Sequence, residues 1–173
     1  MYILQCIWTF QKNLLTDFLL SKFRHLQIRC WNCWRDFSEL LASFYYKQPK
    51  EIIGVTGTNG KTTVTKLCTS ILSTTYRTSA TIGNYNNEIG LPLSVLNASH
   101  ETEKCIYEHG ASKKNDISYL TKISQPDLTT LLNVSEAHME SFKSMDNLIS
   151  TKEEIFSHPR TKKIVLNIDD VNF

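Results

Sequence analysis

Lys61 and Thr62 are the residues in this chain whose types and setting most directly suggest chemistry. They close the stretch Ile52-Ile53-Gly54-Val55-Thr56-Gly57-Thr58-Asn59-Gly60-Lys61-Thr62-Thr63. A β-branched apolar run enters a glycine-rich turn. Val64, Leu67, Cys68, Ile71 and Leu72 then recur at spacings of three and four, which predicts a helix with that face apolar. Strand, glycine turn and helix are the setting of a phosphate-binding loop. Main-chain N–H groups of Gly57, Thr58, Asn59, Gly60 and Thr63 can point at phosphate oxygens, where the helix dipole favours negative charge. Lys61 would reach the β- and γ-phosphates of ATP, and the Thr62 hydroxyl would bind Mg²⁺. The usual pattern places a glycine where Val55 stands, so the loop is a variant.

Bound Mg²⁺ needs further oxygen ligands. In a parallel sheet, ligands gather beyond the carboxyl ends of the strands. Glu108 closes the strand-like run Lys104-Cys105-Ile106-Tyr107, and Asn133 closes Leu128 to Val134, with Ser135-Glu136-Ala137-His138 directly after. Taken singly, Glu108 also reads as a solvated carboxylate and His138 as a surface or helix-cap histidine. Cys30-Trp31-Asn32-Cys33 has no second pair at metal-ligand spacing, so the five cysteines read as reduced thiols.

The elements that must position these groups alternate along the chain. After the loop helix come a Ser/Thr-rich passage, 74–81, and an Asn/Gly loop, 82–91, with Asn84, Asn86 and Asn87. Pro92 can open a helix through Leu93, Val95 and Leu96. Asp116 opens another helical segment, Leu148, Ile149 and Phe156 mark a third around Lys152, and Ile164-Val165-Leu166 reads as a last strand. This alternation predicts an α/β fold, a parallel sheet containing the phosphate loop with helices on both faces. Residues 1–50 read as a separate helical segment, with an apolar stripe over 3–20 and a second helix through Trp34, Phe37, Leu41 and Phe44 that stops near Pro49. Residues 51–173 form the predicted nucleotide-binding domain.

Composition excludes some classes. Hydrophobic residues make up 41% and charged residues 21%, as in globular domains. A net charge of +2 calls for neither nucleic acid nor an anionic membrane. Basic residues lead seven to three over 1–50 and trail twelve to fourteen afterwards, a solvated face at most. No run approaches the roughly 18 apolar residues of a membrane span, and no signal peptide is recognisable. A cytoplasmic monomer acting on small molecules is the expectation.

The variant loop Gly-Val-Thr-Gly-Thr-Asn-Gly-Lys-Thr-Thr resembles that of the Mur ligases, ATP-dependent enzymes that add amino acids to the peptidoglycan precursor. Three further segments are similar: Glu108-x-Gly110; Asn133-Val134-Ser135-Glu136-Ala137-His138; and Lys152, fourteen residues after His138. The resemblance implies that Thr62 and Glu108 hold one Mg²⁺ and that His138 and Lys152 serve a second, with Lys152 carrying CO₂ as a carbamate. It places Asn133 in the ATP site. Lys61, Glu108, His138 and Lys152 become the implied catalytic set, acting through an acyl phosphate. Gly83-Asn84-Tyr85-Asn86-Asn87-Glu88-Ile89-Gly90-Leu91-Pro92-Leu93 is close to the substrate-lining segment of the branch that adds D-alanyl-D-alanine to UDP-muramoyl-tripeptide, which implies substrate roles for Asn84, Asn86 and Asn87. Residues 41–63 are similar also to the diaminopimelate- or lysine-adding branch, and a nucleotide-binding remnant without ligase activity is the reading from another class. The sequence departs from the family at His109, usually Leu or Met, and at Asn115, often Gly. Asn167-Ile168-Asp169-Asp170 resembles the middle of the family's central domain, so an incomplete central domain is implied.

Overall fold

The computed structural model describes Pro49, residues 51–137 and residues 139–170. The two helices expected before Pro49, and His138, lie outside the described residues.

Five parallel strands form one sheet, ordered β2-β3-β1-β4-β5. They are β1 (Glu51–Thr56), β2 (Thr78–Ala80), β3 (Lys104–Glu108), β4 (Leu128–Leu131) and β5 (Lys163–Leu166). β1 is central, with Ile52 beside Cys105 of β3 and Val55 beside Thr130 of β4. The helices are α1 (Lys61–Leu72), α2 (Gly90–Asn97), α3 (Asp116–Ser124), α4 (Met139–Phe142) and α5 (Met145–Glu153), and a 3₁₀ turn over Glu154–Phe156 extends the last.

Side chains alternate across a strand, so each face of the sheet has its own core. Ile52, Cys105 and Tyr107 pack with Leu91 and Val95 of α2 and with Tyr119, Leu120 and Ile123 of α3. Burying such side chains supplies about 1.5–3 kcal/mol each before entropy is counted. α1 lies against β1, β2 and β3, and its Thr62 reaches Glu108, the residue after Tyr107. Leu131, Val134, Phe142 and Leu148 make a second cluster, which seats α4 and α5 beyond β4.

α1 buries only part of the face its periodicity predicts: Val64, Cys68 and Leu72 are half-buried. Leu67 and Ile71 are 58% and 68% exposed, whereas Thr65 is 2% exposed with its hydroxyl unpartnered. In the first turn Thr62 donates to Glu108 at the end of β3. Thr65 and Cys68 follow Thr62 at helical spacing and are carried toward the sheet. The Ser/Thr-rich passage supplies β2, a three-residue strand beside β3. β4 is shorter than the expected run to Val134, because Leu132–Val134 leave the sheet to meet the glycine loop. Among the described residues, no helix is long and apolar enough to cross a membrane.

Candidate functional site

The loop between β1 and α1 turns on two glycines with positive φ, Gly57 at 152° and Gly60 at 80°. A Cβ on Gly57 would also lie 3.0 Å from Leu132 Cβ, so this position needs glycine for both conformation and space. Lys61 Nζ donates to the carbonyls of Gly57 and Thr58, each at 2.9 Å, and so spans the loop. Burial lowers its pKa, and the nearby Glu108 carboxylate opposes that shift. Thr62 Oγ1 donates to Glu108 Oε2 at 3.2 Å. Glu108 is 1% exposed, and Thr81 Oγ1 fixes its main chain by accepting the Glu108 N–H at 2.8 Å. Thr63 is exposed on the first turn of α1. A hydroxyl and a carboxylate in contact at the strand end are hard oxygen donors, and this set fits Mg²⁺.

The end of β4 is stitched to the glycine loop. Thr58 N–H donates to Asn133 O at 3.0 Å, Thr58 Oγ1 donates to Ser135 O at 3.2 Å, and Ser135 N–H donates to Thr58 Oγ1 at 3.0 Å. Asn133 Oδ1 accepts the Asn59 N–H at 2.9 Å, while Asn133 Nδ2 donates to Asn59 O at 3.1 Å. Asp170 Oδ2 accepts the Val134 N–H at 2.8 Å and holds the segment from β5.

Lys152 enters the same cleft from the far side. The cleft measures about 230 Å³ and is lined by Thr58, Lys61, Asn86, Asn87, Ala137 and Lys152, among others. Lys152 is 5% exposed, and no hydrogen bond or ion pair to a described residue holds its ammonium. Burial first, and then the Lys61 charge, lower its pKa to about 8. About a tenth of the amine is therefore neutral and nucleophilic at pH 7.

What fixes Lys152 is its backbone. Just beyond α5, Glu154 Oε1 accepts the Asn115 N–H at 2.8 Å and Oε2 accepts the Ser118 N–H at 3.0 Å. In a capping box, two residues of one helix satisfy these N-terminal donors. Here one carboxylate from a distant element serves both. Asn115 itself has φ 69° and caps with no side-chain bond, a conformation Asn tolerates better than most residues.

The Asn/Gly loop divides its residues. Asn86 and Asn87 line the cleft, whereas Asn84 is exposed and contributes its carbonyl to the Asn86 N–H at 2.8 Å. Asn87 Oδ1 accepts the N–H groups of Ile89 and Gly90, which starts α2. Asn86 O accepts the Gly110 N–H at 2.7 Å, and a Cβ on Gly110 would lie 2.8 Å from Asn86 Oδ1.

His109 is fully buried. Its ring nitrogens lie 2.8 Å from Ser124 Oγ and 3.1 Å from Tyr107 O, and burial pulls its pKa down to about 4. It is a neutral packing residue. Lys61, Asn86, Asn87 and Lys152 thus line one cleft, the Thr62–Glu108 pair sits beside Lys61 without lining the cleft, and Asn133 stands behind the loop. No local motif marks Thr81 or Glu154, whose partners lie 27 and 39 positions away; Ser135 falls within the segment 133–138, but its bond to Thr58, 77 positions away, is not legible in the sequence.

A strand–glycine loop–helix unit at the carboxyl edge of a parallel sheet, with a lysine over the loop and a hydroxyl–carboxylate pair beside it, defines a phosphate-loop α/β domain. The chain belongs to the Mur ligase family, whose middle-domain model matches residues 55–173. The UDP-N-acetylmuramoyl-tripeptide–D-alanyl-D-alanine ligase of Bacillus subtilis is 36% identical over 132 residues, covering 76% of this chain and 29% of its own length. A crystal structure of MurF from Acinetobacter baumannii superposes with a TM-score of 0.74 at 32% identity, over 79% of this chain and 31% of that one. MurF from Thermotoga maritima in complex with ADP gives 0.68 at 34% identity, over 82% and 33%. The chain therefore spans about 30% of the length of these curated relatives.

Proposed function

We propose that this chain is the ATP-binding part of a cytoplasmic ligase that joins D-alanyl-D-alanine to UDP-N-acetylmuramoyl-tripeptide. The gathering of Lys61, Asn86, Asn87 and Lys152 around one cleft, with the Thr62–Glu108 pair next to Lys61, carries the reading. The identity of relatives so named, 36% and 37%, supports the choice of amine.

ATP lies with its phosphates on the N–H groups of 60–63 at the start of α1, because the expected donors of Thr58 and Asn59 are taken by Asn133, and Lys61 exchanges its two loop carbonyls for phosphate oxygens. Thr62 and Glu108 would hold Mg²⁺, and Lys152 with His138 would serve a second ion. Bound there, Mg²⁺ supplies charge neutralisation at the transferring phosphoryl group. For Lys152 to be a ligand, its neutral amine attacks CO₂: an N–C bond forms, a proton leaves to solvent, and an anionic carbamate replaces the amine. The low pKa favours that step. Asn86 and Asn87 orient the muramoyl peptide so that its carboxylate faces the γ-phosphate. Attack there gives ADP and an acyl phosphate, and the incoming amine then displaces phosphate. Lys61 holds charge at the phosphoryl group throughout, the kind of preorganised stabilisation that contributes most to such transfers.

Calorimetry tests this reading. The 173-residue chain should bind ATP in a Mg²⁺-dependent manner, and absence of ATP binding would refute it. These residues alone should not make pentapeptide, because amide formation needs the amine held within near-attack distance. Incubation with ATP, Mg²⁺ and both substrates should yield no UDP-muramoyl-pentapeptide by mass spectrometry. Multiple-turnover synthesis would show that the division of labour is wrong.

A further inference from the structure

We propose that Asn133 is a positioning residue of the phosphate loop: it holds the main chain of Asn59, and with it the turn into α1, and does not itself touch the nucleotide. The inference rests on the nucleotide-site reading above and assigns a role within that site.

Both ends of the Asn133 carboxamide are engaged with one peptide unit's neighbours. Oδ1 accepts the Asn59 N–H at 2.9 Å and Nδ2 donates to Asn59 O at 3.1 Å. This pattern needs an acceptor and a donor on one short side chain, and among the standard side chains of this length only asparagine supplies both. The bonds secure the residue directly before Gly60, whose φ of 80° starts α1. They act beside the Thr58 N–H to Asn133 O bond, so two consecutive loop residues are docked on the segment that leaves β4. β1 and β4 are neighbours in the sheet, and Thr56 pairs with Leu131, which brings their carboxyl-end loops side by side. An exposed glycine-rich loop has many alternative conformations. Ordering it before ligand arrives lowers the entropy cost of binding.

The geometry separates this role from direct contact. Loop preorganisation acts on phosphate binding whatever is attached to the phosphates. Contact with base or ribose would act only on the nucleoside. Wild type, Asn133→Ala and Asn133→Asp are compared by calorimetry with MgATP and with magnesium tripolyphosphate, which lacks a nucleoside. Asn133→Asp keeps the shape and the acceptor for the Asn59 N–H but sets an oxygen against Asn59 O.

Each variant should weaken both ligands by the same factor, about tenfold or more. The Asn59 amide resonance should shift in both variants while the rest of the amide spectrum stays in place, which a general loss of structure would not produce. Loss of ATP affinity with unchanged tripolyphosphate affinity would place Asn133 on the nucleoside and overturn the assignment. Wild-type affinity of both variants for both ligands would overturn it equally. If wild type bound neither ligand, the nucleotide-site reading itself would fall, and this role with it.

Discussion

Lys61 and Lys152 face the same cleft but are held there by opposite means. Lys61 stands on a glycine loop, gripped by carbonyls three and four residues back, and its loop is stitched by side-chain and main-chain bonds to the end of β4. Lys152 has no such partner among the described residues. The packing of Leu148 and Ile155, both nearly inaccessible to solvent, and the cap that Glu154 places on α3 hold its helix instead. Burial lowers the pKa of Lys61 too, but two carbonyl acceptors and the Glu108 carboxylate stand near its charge. Lys152 is buried next to another cation, with no hydrogen bond or ion pair to a described residue to stabilise its charge.

The largest effect that would break this contrast is at Lys61. Lys61→Ala removes the loop's cation and should weaken ATP binding by about a thousandfold, roughly 4 kcal/mol. Equal affinity in calorimetry with wild type would remove Lys61 from the phosphate site.

Lys152 sharpens it through stability. Its pKa is about 8 in the folded chain, against about 10.4 for an unperturbed lysine. Below pH 8 both states are protonated and the fold bears the full cost of a buried cation. From about pH 8 to 10.4 the unfolded state binds more protons, so this group raises stability with pH, by about 3 kcal/mol in all. Cys105, pushed up to about 11 by burial, acts in the opposite direction over much of that window. Chemical denaturation of wild type and Lys152→Met cancels the thiol's contribution. The variant should be the more stable near pH 7, and its advantage should vanish by about pH 10.4. A constant difference across that range would show that Lys152 is not a buried cation.

A smaller effect is expected at Glu154. Glu154→Ala removes both acceptors from the start of α3 and should cost about 2 kcal/mol. Because the same carboxylate pins the end of α5, it should also reduce the carbamate signal at Lys152 in ¹³C-bicarbonate NMR. Glu154→Asp should restore part of both. A stability loss with an undiminished carbamate signal would separate the cap from the cleft.

The strand–loop–helix unit, the alternation of strands and helices, and the strand-end placement of Glu108 and Asn133 were legible in the sequence. Each depends on residues within a few positions of one another: glycines that permit positive φ, β-branched runs that extend, apolar residues at helical spacing. The tertiary structure decided what those residues face. Leu67 and Ile71 continue an apolar helical stripe, yet they are exposed, and Thr65 is the residue of α1 that is buried. Asn133 and Asn59 meet across 74 positions because β1 and β4 are adjacent in the sheet. The same holds for Glu154 and the amides of Asn115 and Ser118, and for the approach of Lys152 to Lys61. Burial moves the Lys152 pKa, and burial belongs to the assembled core. Local conformational preference determined the elements; the order of strands and the roll of helices determined which polar groups became partners.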